Sequence, residues 1–294
     1  MMGQKLDGRY QILQQIGKGG FGVTFLAEDM QRPRNPKCVV KQFKPMSTDP
    51  YSLREAKRLF EKEAEILETL GNHNKIPRLL AHFEEDQEFY LVQEYIEGHD
   101  LSKELLPGKK LSEPYVFKLL QDILEILLFV HQQGVIHRDI KPSNIIRQQD
   151  GKIVLIDFGS VKQISTQIAN SQGQKPATVV VGTVGYMPSE QSIGQPKFTS
   201  DIYAVGIIGI QALTGIIPDQ LPKDTNTSEI IWRNQAQVSP ELADILDKMV
   251  RYHFRDRFQS AEEALQAFRA LTPTNLTPIQ PSNTPISAST ATPT

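Results

Sequence analysis

The hydrophobic positions of the chain follow two spacings, which divide it into a strand-rich first part and a helix-rich second part. Runs of β-branched and aromatic residues, interrupted by Gly and Pro, predict strands within Tyr10–Phe43. Two more strands are predicted at Ile76–Phe83 and Glu88–Tyr95, which completes a five-stranded sheet. Apolar residues that share one stripe predict a helix over Ser52–Leu70.

Helical spacing dominates the second part of the chain. A mostly apolar helix is predicted at Val116–Gln132, and two more helices at Pro240–Arg251 and Ala261–Leu271. The most apolar run, Tyr203–Ile217, is too short to cross a bilayer and contains Gln211. It is therefore interpreted as a buried helix, and no membrane segment is expected in this chain.

The composition changes abruptly at Thr272. The last 23 residues contain seven Thr, five Pro, three Ser and no charged residue. Such a segment cannot bury an apolar core, so a disordered tail or linker is predicted there.

Composition and charge exclude several classes of protein. The 294 residues are 39% hydrophobic and 22% charged, as in an ordinary globular protein, and the formal net charge of −2 favours neither a nucleic-acid surface nor a basic membrane patch. Cys38 is the single cysteine, which excludes a disulfide framework within the chain and fits a reducing compartment. The first residues lack the apolar stretch of a signal peptide. A cytoplasmic location is expected.

The stretch Val135–Gly159 concentrates the candidate chemistry. Strands predicted at Asn144–Arg147 and Ile153–Ile156 flank a turn signal, Gln149-Asp150-Gly151. The hairpin would bring Asn144 and Asp157 side by side at its open end. Oxygen ligands gathered beside a loop acid and a lysine suit Mg²⁺ and a phosphate.

The order His137-Arg-Asp-x-Lys-Pro-x-Asn, followed by Asp157-Phe-Gly, resembles the catalytic and metal-binding loops of eukaryotic-type protein kinases. This resemblance implies an α+β, bilobal fold, with a five-stranded antiparallel sheet and one helix in the small lobe and a mainly helical large lobe. It assigns residues 1–9 to an extension, 10–97 to the small lobe, 98–271 to the large lobe and 272–294 to the tail. ATP and Mg²⁺ are the implied cofactors.

The resemblance also implies a role for each polar residue of this stretch. Asp139 would orient the attacking hydroxyl and accept its proton, and Lys141 would bind the γ-phosphate. Asn144 and Asp157 would hold the Mg²⁺. The position of a lysine two residues after the acid resembles the arrangement in Ser/Thr kinases rather than that in Tyr kinases.

A Gly-x-Gly-x-x-Gly pattern lies near the start of the chain. A Rossmann turn has the same spacing but requires a helix directly afterwards, whereas a β-branched strand follows here. A glycine loop between two strands resembles the phosphate-covering flap of protein kinases. The resemblance then implies that the nucleotide is contacted by Ile16, Gly17, Lys18, Gly19, Gly20, Phe21, Gly22 and Thr24.

Lys41 shares one face of a predicted strand with Val39 and Phe43, because successive side chains of a strand point to opposite faces. A lysine between apolar neighbours needs a partner or a ligand, and Glu63 is the candidate because it lies on the apolar stripe of the predicted helix. The family resemblance implies that Lys41 clamps the α- and β-phosphates, and that Val39 and Glu63 belong to the nucleotide site.

The segment Glu94–Gly98 resembles the hinge between kinase lobes. It implies adenine contacts from the backbone of Glu94 and Ile96, with Gln93 behind the adenine. The family resemblance also implies that Ile146 belongs to the nucleotide site. Asp100 would contact the ribose, although an acid at a helix start is equally an N-terminal cap.

Ser160–Glu190 resembles a kinase activation segment. Thr183 would then contact Asp139 and Lys141, and Glu190 would pair with a buried Arg257. Two further expectations concern the catalytic loop: Asp201 holds its backbone, and Thr178 is autophosphorylated so that its phosphate pairs with Arg138.

The sequence therefore favours a protein Ser/Thr kinase that phosphorylates proteins, itself included, and the glycine loop looks most like those of bacterial, especially cyanobacterial, members. Two alternatives stay open: an ATP-binding signalling scaffold without turnover, and a small-molecule phosphotransferase. Lys141, Thr183 and the long activation segment disfavour the second alternative.

Overall fold

Nine strands and six α-helices make up the part of the chain that the computed structural model describes, residues 2–19, 22–43, 49–158 and 182–271. Several expectations fall outside these residues: Gly20 and Phe21 of the glycine loop, Thr178 with most of the activation segment, and the tail.

Six strands form one antiparallel sheet in the order β1-β2-β3-β4-β6-β5. The sequence predicted five, and the additional strand is the two-residue β1, which pairs with β2 and buries Leu6 completely. The bounds are β1 Lys5–Leu6, β2 Tyr10–Gly19, β3 Gly22–Asp29, β4 Lys37–Phe43, β5 Leu79–Glu85 and β6 Glu88–Glu94.

Helix α1, Pro50–Leu70, packs against this sheet through the predicted stripe. Phe60, Leu67 and Leu70 are buried, and Glu63 is only 2% exposed, which confirms the predicted face of the helix. The apolar side of α1 joins Phe89 of β6 and the core of the helical part in one continuous cluster, whereas the other face of the sheet forms a separate cluster.

The helical part contains five of the described α-helices. Its bounds are α2 Glu113–Gln132, α3 Ser189–Ser192, α4 Phe198–Thr214, α5 Pro240–Met249 and α6 Ala261–Ala270. Nearly all of α4 is buried, as its apolar sequence predicts, because α2, α5 and α6 surround it. Gly209 permits this approach, since a Cβ there would lie 2.8 Å from Leu120 Cδ1 and 2.9 Å from Leu246 Cδ2.

A second sheet of three short strands supports the catalytic stretch. It consists of β7 His99–Asp100, β8 Ile145–Arg147 and β9 Ile153–Leu155, in that order. Asn144 lies in a 3₁₀ turn rather than in the strand, so β8 begins one residue later than predicted. The loop before β8 and the residues after β9 thus meet at one end of the hairpin.

Within the described residues, no helix has both the length and the apolar character that crossing a bilayer requires.

Candidate active site

A cleft of about 240 Å³ lies where the six-stranded sheet faces the β8–β9 hairpin. Its walls combine aliphatic side chains with polar groups from both the sheet and the hairpin. Most residues that the sequence placed around a nucleotide line this cleft, namely Ile16, Gly17, Thr24, Val39, Lys41, Gln93, Glu94, Ile96, Asn144, Ile146 and Asp157.

Other predicted site residues lie outside the walls of this cleft. Gly19 and Gly22 pair at the tip of the β2–β3 hairpin, and Lys18 pairs with Val23 next to them. Asp100 caps a 3₁₀ turn by accepting a hydrogen bond from the backbone N–H of Ser102 at 3.0 Å, so the alternative role as a cap is the observed one.

Lys41 reaches into the cleft from β4. Its Nζ lies 3.2 Å from Asp157 Oδ1, and within the described residues this is the carboxylate at ion-pair distance. The pair predicted between Lys41 and Glu63 is therefore wrong for this structure, although both residues face inward. Helical periodicity identifies the buried face on which Glu63 lies, but it does not show that the carboxylate of Asp157 lies within ion-pair distance of the Lys41 ammonium.

Asp139 lies at the centre of the catalytic loop and is 4% exposed. Thr183 Oγ1 donates to Asp139 Oδ1 at 3.1 Å and accepts from Lys141 Nζ at 2.8 Å, which confirms the predicted contacts. Lys141 Nζ is also 3.0 Å from Asp139 Oδ2. Asn144 Nδ2 donates to the same oxygen at 2.8 Å and to the Asp139 carbonyl at 2.8 Å.

Asp201, at the start of α4, holds the backbone of this loop. Its carboxylate accepts from the N–H of His137 and from the N–H of Arg138, each at 2.9 Å, as predicted. Complete burial raises the pKa of Asp201, but the hydrogen bonds that its carboxylate accepts from His131 and from the backbone N–H of Arg138 outweigh it, so the pKa lies below its ordinary value. The ionised carboxylate thus fixes a loop in which Arg138 adopts a φ of 70°.

His137 is a neutral, structural part of the loop. Burial lowers its pKa, and nearby carboxylates only partly oppose this effect. Its Nδ1 accepts from the Asp139 N–H at 3.3 Å, while its Nε2 lies 3.1 Å from the Ile156 carbonyl and can donate to it. One accepting and one donating nitrogen suit the uncharged imidazole.

A sequence model described as protein kinase domain matches residues 10–268 of the chain. The chain belongs to the protein kinase family.

Two relatives of the kinase domain come from cyanobacteria. Serine/threonine-protein kinase PknA of Nostoc sp. is 46% identical over 271 residues, which cover 91% of this chain and 48% of that protein. Serine/threonine-protein kinase B of Synechocystis sp. is 46% identical over 267 residues, which cover 90% of this chain and 46% of that protein. The chain thus spans about half the length of the curated relatives it matches.

Two solved structures share the fold of this chain. The apo form of PpkA-294 superposes with a TM-score of 0.70 at 24% identity, covering 91% of this chain and 98% of that chain. Rad53 in complex with AMP-PNP superposes with a TM-score of 0.65 at 23% identity, covering 88% of this chain and 64% of that chain.

The kinase domain contains the predicted buried ion pair below its catalytic loop. Arg257 Nη1 lies 2.7 Å from Glu190 Oε1, and Nη2 lies 3.2 Å from Oε2. The guanidinium donates its other three hydrogen bonds to the backbone carbonyls of Arg251, Thr199 and Tyr252. All five donors of the buried guanidinium are therefore used.

Some residues of the kinase site escaped sequence reasoning. Pro77, Tyr95 and Ile156 line the cleft, but apolar and aromatic residues in such places carry no distinctive spacing. His131 also contributes to the site, because its Nε2 lies 2.9 Å from Asp201 Oδ2. The sequence pattern around His131, near the end of α2, does not indicate a contact with a residue seventy positions away.

Proposed function

We propose that this chain is the catalytic domain of a protein Ser/Thr kinase, which transfers the γ-phosphate of ATP to Ser or Thr hydroxyls of proteins. The proposal rests on one constellation: Asp139, Lys141 and Thr183 are hydrogen-bonded together beside a cleft that ends in Asn144 and Asp157. The 46% identity to proteins named as Ser/Thr kinases supports it.

Asp139 serves as the acceptor of the hydroxyl proton. The substrate oxygen forms a bond to the γ-phosphorus, the bond from that phosphorus to the bridging oxygen breaks, and ADP leaves with the electron pair. Asn144, Lys141 and Thr183 hold the carboxylate in place, so little reorganisation accompanies the reaction. Lys141 also supplies positive charge next to the transferring group.

The aliphatic side chains of the cleft walls suit a purine. Val39 and Ile146 would contact its faces, and the backbone of Glu94 and Ile96 its edge. Lys41 would bind the phosphates and exchange its contact with Asp157 for them. The glycines of the β2–β3 hairpin allow its backbone to approach the phosphates closely.

The donor set at the end of the cleft fits Mg²⁺. Asn144 commits its amide nitrogen to Asp139, so its Oδ1 is the atom left to face a cation. The Asp157 side chain is 39% exposed, which leaves its carboxylate accessible from the cleft. Two oxygen donors next to phosphate oxygens match the preference of this ion, which would offset phosphate charge when bound.

Transfer from γ-labelled ATP with Mg²⁺ to casein and to the chain itself tests the proposal. Wild type should label Ser or Thr, Asp139→Asn should lower the rate by about 10²–10⁴-fold, and Asp157→Ala should abolish it. Binding of ATP without any label would instead favour a scaffold, and label on a small molecule alone a different phosphotransferase.

The same experiment addresses autophosphorylation. Thr178 lies outside the described residues, and we propose it as an acceptor because a phosphate there could pair with Arg138. Phosphopeptide mapping of the labelled chain should identify Thr178. Full activity with Thr178 unmodified would contradict this part of the proposal.

A further inference from the structure

Four polar side chains form a cluster around Arg147, the sequence neighbour of the cleft residue Ile146, and none of them belongs to the catalytic constellation. They are His99 of β7, Glu104, Tyr115 of α2 and Arg147 of β8. Glu104 Oε1 lies 2.8 Å from Arg147 Nε and 2.7 Å from His99 Nε2, and Tyr115 donates its hydroxyl to Glu104 Oε2. We call this set the Glu104 cluster.

Arg147 is the most connected member of the Glu104 cluster. Besides Glu104, its Nη2 donates to Tyr115 Oη at 2.6 Å and its Nη1 to the Gly151 carbonyl at 3.0 Å. The guanidinium also lies 5.2 Å from the centre of the Tyr115 ring. The side chains of Glu104 and Arg147 are 17% and 18% exposed, so their pairing is largely shielded from water.

The Glu104 cluster connects β7 and α2 to β8, the strand that carries the cleft residue Ile146. His99 and Arg147 are direct partners in the β7–β8 pairing, and Ile146, next to Arg147, lines the cleft. Gly151 lies in the turn between β8 and β9, which lead to Asn144 and Asp157 at the other end.

The approach of the hinge to β8 is unusually close. A Cβ on Gly98 would lie 2.2 Å from the Arg147 carbonyl oxygen, so the hinge exit and β8 are in backbone contact. Because the backbones of Gly98 and Arg147 are in direct contact, a displacement of Arg147 would also displace its neighbour Ile146 relative to the hinge.

We propose that Glu104 and Arg147 are positioning residues that fix Ile146 against the hinge and thereby set the affinity of the cleft for the purine nucleotide. This inference rests on the proposed function of the cleft. Ordered contacts made before the nucleotide arrives reduce the ordering cost of binding it.

The Glu104 cluster should act on nucleotide binding rather than on transfer. Asp139 is held by Asp201 through the loop backbone and by Asn144 and Thr183 through side chains. Those contacts involve none of the members of the Glu104 cluster. Loss of the cluster should therefore raise KM for ATP and leave kcat nearly unchanged.

The test compares Arg147→Met, Glu104→Gln and the double variant with wild type. We expect KM for ATP to rise about 5- to 20-fold in Arg147→Met, with kcat within about two-fold. The double variant should be no worse than Arg147→Met, because both substitutions break the same contact. Arg233→Met is the matched control: Arg233 pairs with Asp244 and Asp247 away from the cleft, and its loss should leave KM unchanged.

A second readout separates this inference from the proposed function. The dissociation constant of fluorescent N-methylanthraniloyl-ATP is measured for all variants, with the melting temperature as a check on folding. Weaker binding in Arg147→Met supports the inference even if wild type transfers no phosphate, which would overturn only the kinase proposal. Unchanged KM and unchanged dissociation constant in a folded Arg147→Met protein would overturn the inference.

If Arg147→Met does not fold, Tyr115→Phe replaces it, because this substitution removes two hydrogen bonds of the Glu104 cluster without changing the shape of the ring. A raised KM and a raised dissociation constant in Tyr115→Phe would support the inference, and unchanged values would overturn it.

Discussion

Thr183 donates its hydroxyl hydrogen to Asp139 Oδ1 over 3.1 Å. The same hydroxyl accepts from Lys141, so the three side chains orient one another. One carboxylate oxygen is thereby committed to a residue that immediately precedes the exposed Val184. The orientation of the Asp139 carboxylate is thus coupled to the position of the segment that contains Thr183 and Val184.

Removal of this hydroxyl should slow transfer. Thr183→Ala loses a hydrogen bond to a charged group, worth about 1.5–3 kcal/mol, so kcat should fall roughly 10- to 100-fold. Thr183→Ser keeps the hydroxyl and should retain most of the activity. Steady-state kinetics with a Ser peptide give kcat for each variant.

Thr199→Ala provides the control for that experiment. The Thr199 hydroxyl is buried and, within the described residues, makes no hydrogen bond. Its removal should leave kcat unchanged. An equal loss of kcat in Thr183→Ala and Thr199→Ala would show that the Thr183 contact has no special role.

The buried pair of Glu190 and Arg257 should dominate the stability of the helical part. Arg257→Met leaves a buried carboxylate without its cation, which typically costs about 3–5 kcal/mol. The free energy of unfolding from urea titration measures the loss. Lys248→Met breaks a half-exposed pair with Glu263 and should cost about 0–1 kcal/mol. Similar losses in both variants would contradict this ranking.

Acid should destabilise the fold through the catalytic loop. Burial lowers the pKa of His137 below its ordinary 6.5, so the unfolded chain takes up this proton more readily than the folded chain. The stability contributed by neutral His137 is present above about pH 6.5 and declines as the pH falls below it. Asp201, whose pKa is lowered, adds a second loss as the pH falls below about 3.8.

Urea titrations between pH 7.5 and pH 5 measure the first of these losses. His137→Gln keeps hydrogen-bonding capacity without a titrating ring, so its unfolding free energy should vary less over this range. A slope as steep as that of wild type would assign the acid sensitivity to other groups.

Cys38 should be inert in the folded protein. Burial raises the pKa of its thiol to about 12, so the thiolate fraction at pH 8 is on the order of 10⁻⁴. Reaction with an aromatic disulfide reagent should therefore be slow in buffer and rapid in denaturing urea. Stoichiometric reaction within seconds in buffer would show that the site opens readily.

Sequence patterns predicted the elements of this fold well because each element carries its own periodicity. The stripe on α1 and the apolar run within α4 are local features, and the predicted face of α1 and the predicted burial of α4 were both correct. The resemblance supplied contacts such as those of Thr183 and Arg257, which no spacing reveals. Strand β1 was missed because two residues, Lys5 and Leu6, are too few to show an alternation.

The errors in the site concern distances between segments. Periodicity placed Glu63 on the buried side, but only coordinates show that Lys41 pairs with Asp157 instead. The members of the Glu104 cluster are far enough apart in the sequence that no motif contains them, so the sequence does not indicate that they are in contact. Pro77 and Tyr95 line the cleft through shape, which depends on the packed chain as a whole.

The continuous apolar cluster that joins α1 and Phe89 to the helical part makes the sheet and the helices depend on each other for stability. A cut between residues 97 and 98 would expose Phe60, Leu67 and Leu91 on one fragment and their packing partners on the other. Neither fragment could shield that surface from water, so each would aggregate when expressed alone. Calorimetry of the intact chain should accordingly show a single heat-absorption peak, in which the six-stranded sheet and the helices melt together.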